Sequence, residues 1–431
     1  MEESGASNEA QKAGCLRATL ARLGLAAFSL LITFALLEGF ARLIFARQQH
    51  QAGQSEAVRL YRQDDRLEWS LVPNGRMTTV TDDGEVLIEI NSHGLRDREY
   101  DYEKPENTFR ILILGDSFTE AMQVNLEDTY HARLERRLNE ELGAATGLRF
   151  EVISGGVAGY GVTREMIFYE EEGRRYQPDL VLMAFYMGND VRDDHPALAQ
   201  EEPFPGIYRR QFFQIGEDGE LEPLVQAADE SLAPGAAQAQ AQAGSLVRRI
   251  DAWLYGHSRL YFYVRPFLSE QVPFIRRMLY AIGFVQSPAP VLPRYSDTDT
   301  EVIEEAWALE EALIARLRRD VEADGATYAI IIIPDALQIQ PEMLREKYPL
   351  FYPALLESMD LEKPDRALMG ILNRQGIPYL RLYPAFVEYR TETGETLYGS
   401  HGHWTVAGHR LAADLIYEWL VRERLVPDGE G

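Results

Sequence analysis

Hydrophobic positions along this chain follow two rhythms. Between about 105 and 425, short unbroken aliphatic runs alternate with segments whose apolar residues recur every three or four positions. The runs at 110–114, 149–153, 179–185, 327–333 and 377–383 read as buried strands. Helices are predicted over 127–142, where Tyr130, Leu134, Leu138 and Leu142 repeat at every fourth position, from near Thr163, and over 300–323, 363–375 and 406–423. Strands alternating with helices predict a parallel sheet covered on both faces, a three-layer α/β sandwich of flavodoxin-like type. Ahead of it, alternating runs from Leu67 to Asn91 are broken by Pro73-Asn74-Gly75 and Asp82-Asp83-Gly84. These are hairpin signals and predict a small N-terminal β element.

Two stretches depart from this alternation. Leu23 to Phe45 is apolar apart from Glu38 and Arg42, and is long enough to cross a bilayer with some tilt. Those two charges stand four residues apart, so they share a helix face and can pair. Lys12, Arg17 and Arg22 precede the span, which predicts the N-terminus inside and the large domain outside. No small-x-small cleavage site follows, so an uncleaved anchor is expected rather than a signal peptide. The resulting division is a cytoplasmic segment 1–22, an anchor 23–45, a polar stalk 46–66 and a main domain 67–431. The second departure is the interval 196–299, expected to be an insertion at a loop over the sheet's carboxyl edge. It holds the low-complexity run 236–244 and an aromatic stretch from Trp253 to Phe284, read as helical and packed rather than as a binding platform.

Composition narrows the function. Lys and Arg number 43 against 68 Asp and Glu, a formal charge of −25, which argues against nucleic acid as a partner. The single cysteine, Cys15, precedes the apolar span. The folded part is therefore thiol-free, which excludes a disulfide framework, a cysteine nucleophile and a cysteine-based zinc site.

Candidate chemistry sits in four blocks. Ile111-Leu112-Ile113-Leu114 runs into Gly115-Asp116-Ser117, placing a hydroxyl where a buried strand gives way to a helix. Ser154 to Gly161 is a glycine-rich loop whose N–H groups can approach a reacting oxygen. Gly188-Asn189-Asp190 offers a side-chain amide as a further donor. His403, in His403-Trp404-Thr405-Val406-Ala407-Gly408-His409, can accept the serine proton. Serine early and histidine late meet only through the fold, as nucleophile and base do. Asp116 and Asp190 read as loop-holding residues, His409 as a capping or packing residue, and Gln338 and Gln340 as solvated loop positions. His401, His403 and His409 lack a nearby acid at helical spacing, so no metal is expected, and no cofactor is required.

These blocks resemble the SGNH (GDSL-like) hydrolase superfamily, over about 105–195 and 300–425. The resemblance implies Ser117 as nucleophile, His403 as base, and the Ser117 and Gly159 N–H groups with the Asn189 amide as the oxyanion hole. The segment Asn91 to Asp97 is also similar to membrane-anchored bacterial members, which implies an inner-membrane, single-pass protein with its catalytic domain on the extracytoplasmic side. The His-Trp-Thr-x-x-Gly-His form is similar to relatives that acetylate or deacetylate extracellular polysaccharides. The implied activity is a serine esterase acting on O-acyl, above all O-acetyl, esters of a small molecule or glycan. An O-acetyltransferase in exopolysaccharide modification, or an inactive glycan-binding assembly subunit, are the alternatives. In one respect the chain departs from the family, which places an Asp two or three residues before the histidine. Here those positions hold His401 and Ser400, leaving a backbone carbonyl, Glu395 or Asp335 as candidates for the orienting group.

Overall fold

The computed structural model describes residues 60–199, 211–224, 300–347 and 359–429. It also describes Tyr295, 356–357, most of 22–44 and scattered positions between 253 and 264. The chain divides into two compact units, one of Met1–Ser55 with Gln242–Gln286, the other of Glu56–Ala241 with Ser287–Gly431.

The second unit is built on a five-stranded sheet of β5 (Thr108–Gly115), β6 (Arg149–Gly156), β7 (Leu180–Tyr186), β10 (Thr327–Ile333) and β11 (Tyr379–Arg381). Its order is β11-β10-β7-β5-β6 and every pairing is parallel. Numbered among themselves, the strands run 2-1-3-4-5, the doubly wound order whose direction of winding reverses beside the first strand. Side chains alternate across β5: Leu112 and Leu114 join the core on one face, Ile111 and Ile113 that on the other. Helices α3 (Val162–Glu171), α5 (Glu301–Ala323) and α6 (Lys363–Gln375) supply the first face. Helices α2 (Tyr130–Glu141), α7 (Tyr383–Thr393) and α8 (Val406–Arg422) supply the second. Covered on both sides, these strands read as continuous aliphatic runs.

Each strand of this sheet is entered from a residue in the left-handed region: Asn107 (φ 55°), Gly147 (69°), Gln177 (53°), Gly325 (87°) and Gly376 (67°). The turns at the sheet's amino edge are thus short reversals, and the irregular loops lie at the carboxyl edge.

Two hairpins precede the sheet, β1 (Tyr61–Asp64) with β2 (Glu68–Leu71), and β3 (Arg76–Thr81) with β4 (Gly84–Glu89). Trp69, Leu71, Val86 and Ile88 bury into the first-face core. Within the segment expected to be a stalk, Leu60 and Tyr61 are buried and residues 61–64 pair as a strand, with the Tyr61 hydroxyl donating to buried Glu120. Residues 46–59 lie outside the described residues. The interval expected to be a helical insertion contains a short hairpin, β8 (Phe213–Ile215) with β9 (Leu221–Pro223). Most of its low-complexity and aromatic parts lie outside the described residues; of the aromatics, Trp253 is exposed.

In the first unit, residues 32–44 are helical. Glu38 and Arg42 pair at 2.8 Å, and Glu38 also accepts from Ser258 Oγ (2.7 Å) and the N–H groups of Arg259 and Leu260 (3.0 Å each). Among the described residues no helix is long and apolar enough to cross a membrane. The expected anchor, 23–45, falls in part outside them.

Candidate active site

Ser117 opens a single helical turn, α1 (Ser117–Glu120), directly after β5. Asp116 makes that turn: its carboxylate caps the helix by accepting the Phe118 N–H at 2.9 Å, and its other oxygen accepts from Asn189 Nδ2 at 3.0 Å. Asp116 is fully buried, and burial raises its carboxyl to about 7. Asn189 follows β7 and precedes the short helix α4 (Asp190–Asp194). Asp190 holds this loop by accepting the Tyr186 N–H at 2.8 Å.

The third loop follows β6. Gly159 adopts φ +80°, a conformation that side-chain-bearing residues rarely take. Its neighbours are clamped: the Ala158 N–H donates to Glu120 Oε2 (2.8 Å), the Ala158 carbonyl accepts from Trp69 Nε1 (2.9 Å), and the Tyr160 hydroxyl donates to the Trp69 carbonyl (2.6 Å). Tyr61 donates to the other oxygen of Glu120 at 2.8 Å. The first hairpin therefore grips the glycine loop, through a carboxyl three residues after the candidate nucleophile.

The segment Asn91–Asp97 braces the same region. Arg96 is buried and donates to the Glu120, Ala121 and Val124 carbonyls, tying the end of α1 to the loop that follows it. Asp97 accepts the Ser154 N–H at 2.8 Å.

His403 reaches Ser117 across the carboxyl edge. Its Nε2 lies 2.8 Å from Ser117 Oγ, and its Nδ1 lies 3.1 Å from the His401 carbonyl. A carbonyl can only accept, so Nδ1 carries the proton and Nε2 is left with its lone pair toward the serine. Burial holds the imidazole below its ordinary range. The Phe118 ring lies 5.0 Å from the imidazole and meets Trp404 edge-on at 5.2 Å, walling one side of the pair.

Of the candidates for the orienting group, the carbonyl at 401 occupies the position. Glu395 is engaged elsewhere, with the Tyr389 hydroxyl and Arg410. Asp335 caps the helical turn Ala336–Ile339 and accepts from Tyr295. His409 is buried, stacks on Tyr130 and accepts the Tyr130 N–H, so its ring is neutral and structural. Gln338 and Gln340 are not solvated: Gln338 completes a capping box with Asp335, and Gln340 accepts the Tyr398 N–H. Trp69, Tyr61 and Glu120 escape sequence reasoning because nothing local marks them. Arg96 lies inside a segment that the sequence does single out.

No family model and no curated protein matches the chain. Among solved structures it is similar to an acetyl xylan esterase, AlAXEase, at 12% identity over 72% of this chain and 98% of that one, with a TM-score of 0.35. It is similar to TesA at 11% identity over 72% and 97%, with a TM-score of 0.33. It is also similar to the psychrotrophic esterase EstA from Pseudoalteromonas sp., at 11% identity over 74% and 100%, with a TM-score of 0.32.

Proposed function

We propose that the chain is a serine esterase of the SGNH type, and the observation that carries this is the 2.8 Å approach of His403 Nε2 to Ser117 Oγ with Nδ1 protonated toward a carbonyl. Ser117 Oγ attacks the ester carbonyl carbon and gives its proton to His403 Nε2. The oxyanion forms against the N–H groups of Ser117 and Gly159 and the second hydrogen of the Asn189 amide, whose first is held by Asp116. The imidazolium returns its proton to the departing alkoxide. Water, deprotonated by the same nitrogen, then releases the acid and restores the serine. The substrate class is an O-acyl ester, with O-acetyl esters of carbohydrates as the first choice on the His-Trp-Thr motif.

The same reading places the protein at a bacterial inner membrane with this domain outside. It is supported by the apolar run 23–45 and by Leu25, Phe28, Phe34, Leu36, Phe40 and Leu43, which are exposed along its helix.

The test is covalent labelling of the full chain by a fluorophosphonate, with hydrolysis of 4-nitrophenyl acetate measured beside it. Wild type is expected to label and turn over, and Ser117→Ala and His403→Ala to lose both. A folded wild type that neither labels nor hydrolyses would overturn the esterase reading in favour of a binding subunit. Acyl transfer to a sugar in preference to water would make it a transferase.

A further inference from the structure

The turn that carries the base is held from outside itself. Residues Gly399 to Gly402 form a tight turn, closed by the Gly402 N–H donating to the Gly399 carbonyl (2.9 Å) and the Gly399 N–H donating to the His403 carbonyl (2.8 Å). With glycine at both ends and Ser400 and His401 exposed, such a turn has little to keep the His401 carbonyl aimed at Nδ1. The tip of the β3–β4 hairpin supplies what is missing. Asp82 accepts the Ser400 N–H at 2.6 Å on one oxygen and the Ser400 hydroxyl at 3.0 Å on the other. Asp83 accepts the Val406 N–H at 3.2 Å, just past the base. A Cβ at position 399 would stand 2.6 Å from Asp82 Oδ2, so glycine there lets the carboxylate close in. The same hairpin is pinned behind the nucleophile: the Thr81 hydroxyl donates to the Gln123 carbonyl (2.9 Å), and the Leu87 N–H donates to Asn125 Oδ1 (3.1 Å).

We propose that Asp82 is the positioning residue for His403, doing through Ser400 and the His401 carbonyl what an acid beside the histidine does in a Ser-His-Asp triad. This rests on the esterase reading above. The hairpin touches the chain on both sides of the serine–histidine pair and so sets the distance between nucleophile and base. Asp82 contacts neither, and its effect passes through the turn.

The experiment uses the full chain and compares wild type, Asp82→Ala, His401→Asp, Asp82→Ala combined with His401→Asp, and Ser117→Ala. Turnover of 4-nitrophenyl acetate and backbone hydrogen exchange of the peptide spanning 397–405 are both measured. Asp82→Ala is expected to lower kcat by roughly 10- to 100-fold with KM within about twofold, because misorienting the base affects the chemical step and not ester binding. Adding His401→Asp, which offers a carboxylate to Nδ1 directly, is expected to recover kcat to within about fivefold of wild type. Recovery separates loss of aim from loss of folding. Unchanged kcat in Asp82→Ala, with Ser117→Ala inactive, overturns the proposal and leaves the esterase reading standing. If wild type itself is inert, the esterase reading fails, and exchange still decides the clamp: faster exchange in Asp82→Ala supports it, and unchanged exchange overturns it.

Discussion

On the esterase reading, the proton on His403 decides what Ser117 can do. Only the neutral imidazole takes the serine proton, and burial lowers its pKa below 6.5 while the hydrogen bond to the His401 carbonyl acts the other way. Deprotonation is therefore complete at lower pH than for a free histidine, and the acid limb of kcat/KM is expected to fall below pH 6.5. A pH profile of 4-nitrophenyl acetate hydrolysis checks this, and a limb centred above 6.5 would contradict the burial argument. The serine and histidine are legible in sequence because a hydroxyl after a buried strand and a histidine before the last helix are distinctive placements. The group at Nδ1 is not legible: every residue has a carbonyl, so no residue type announces which one will be aimed at the ring.

At the level of elements, the small hairpins do more than cap the sheet. A two-stranded hairpin is marginal alone, yet here each is fastened to a loop of the site, β1–β2 to the glycine loop and β3–β4 to the turn bearing His403. Trp69→Phe keeps an aromatic ring at this buried position but removes the N–H that donates to the Ala158 carbonyl, together with part of the indole's volume. It is expected to cost on the order of 1–2 kcal/mol in stability and to lower kcat about tenfold through a loosened glycine loop. Urea denaturation and steady-state kinetics measure the two effects separately. Aliphatic runs locate the sheet strands to within a few residues, and Lys363–Gln375 coincides with its expected helix. Tyr383–Thr393 goes unseen because Phe386 is its buried residue, so the helix presents no apolar stripe to read. The strand at 61–64 goes unseen because two of its four residues are exposed.

Across the whole domain, the most unusual charge is inside. Asp116, Glu165, Asp190, Asp194 and Glu310 are all buried. Burial, reinforced by their mutual repulsion, raises each above its ordinary range, Asp194 to about 6 and Asp116 to about 7. A carboxyl raised in the folded state holds its proton where the unfolded chain has already released it. It therefore costs stability progressively as pH rises from the unfolded pKa near 4 through the folded value. Glu165, whose oxygens have no hydrogen-bond partner among the described residues, is the most direct probe of this cost. Glu165→Gln is expected to be neutral at pH 5 and stabilising at pH 8, by on the order of 1–3 kcal/mol. Denaturation midpoints at the two pH values measure the difference. An equal change at both would show that this carboxyl ionises alike in the folded and unfolded chain, and would overturn the burial argument.

The left-handed reversals that open the five sheet strands give the molecule a quiet side. A Cβ added at Gly325 or Gly376 would meet nothing within 4 Å, and the carboxyl-edge loops lie a full strand length away, at the other edge. A peptide tag or dye attached there would ride on the scaffold without entering the reaction. An epitope inserted after Gly376 is expected to leave fluorophosphonate labelling at the wild-type rate, whereas the same insertion between Gly399 and Gly402 is expected to abolish it. The protein thus comes with its own handle, which would let its place in cells be read while it remains at work.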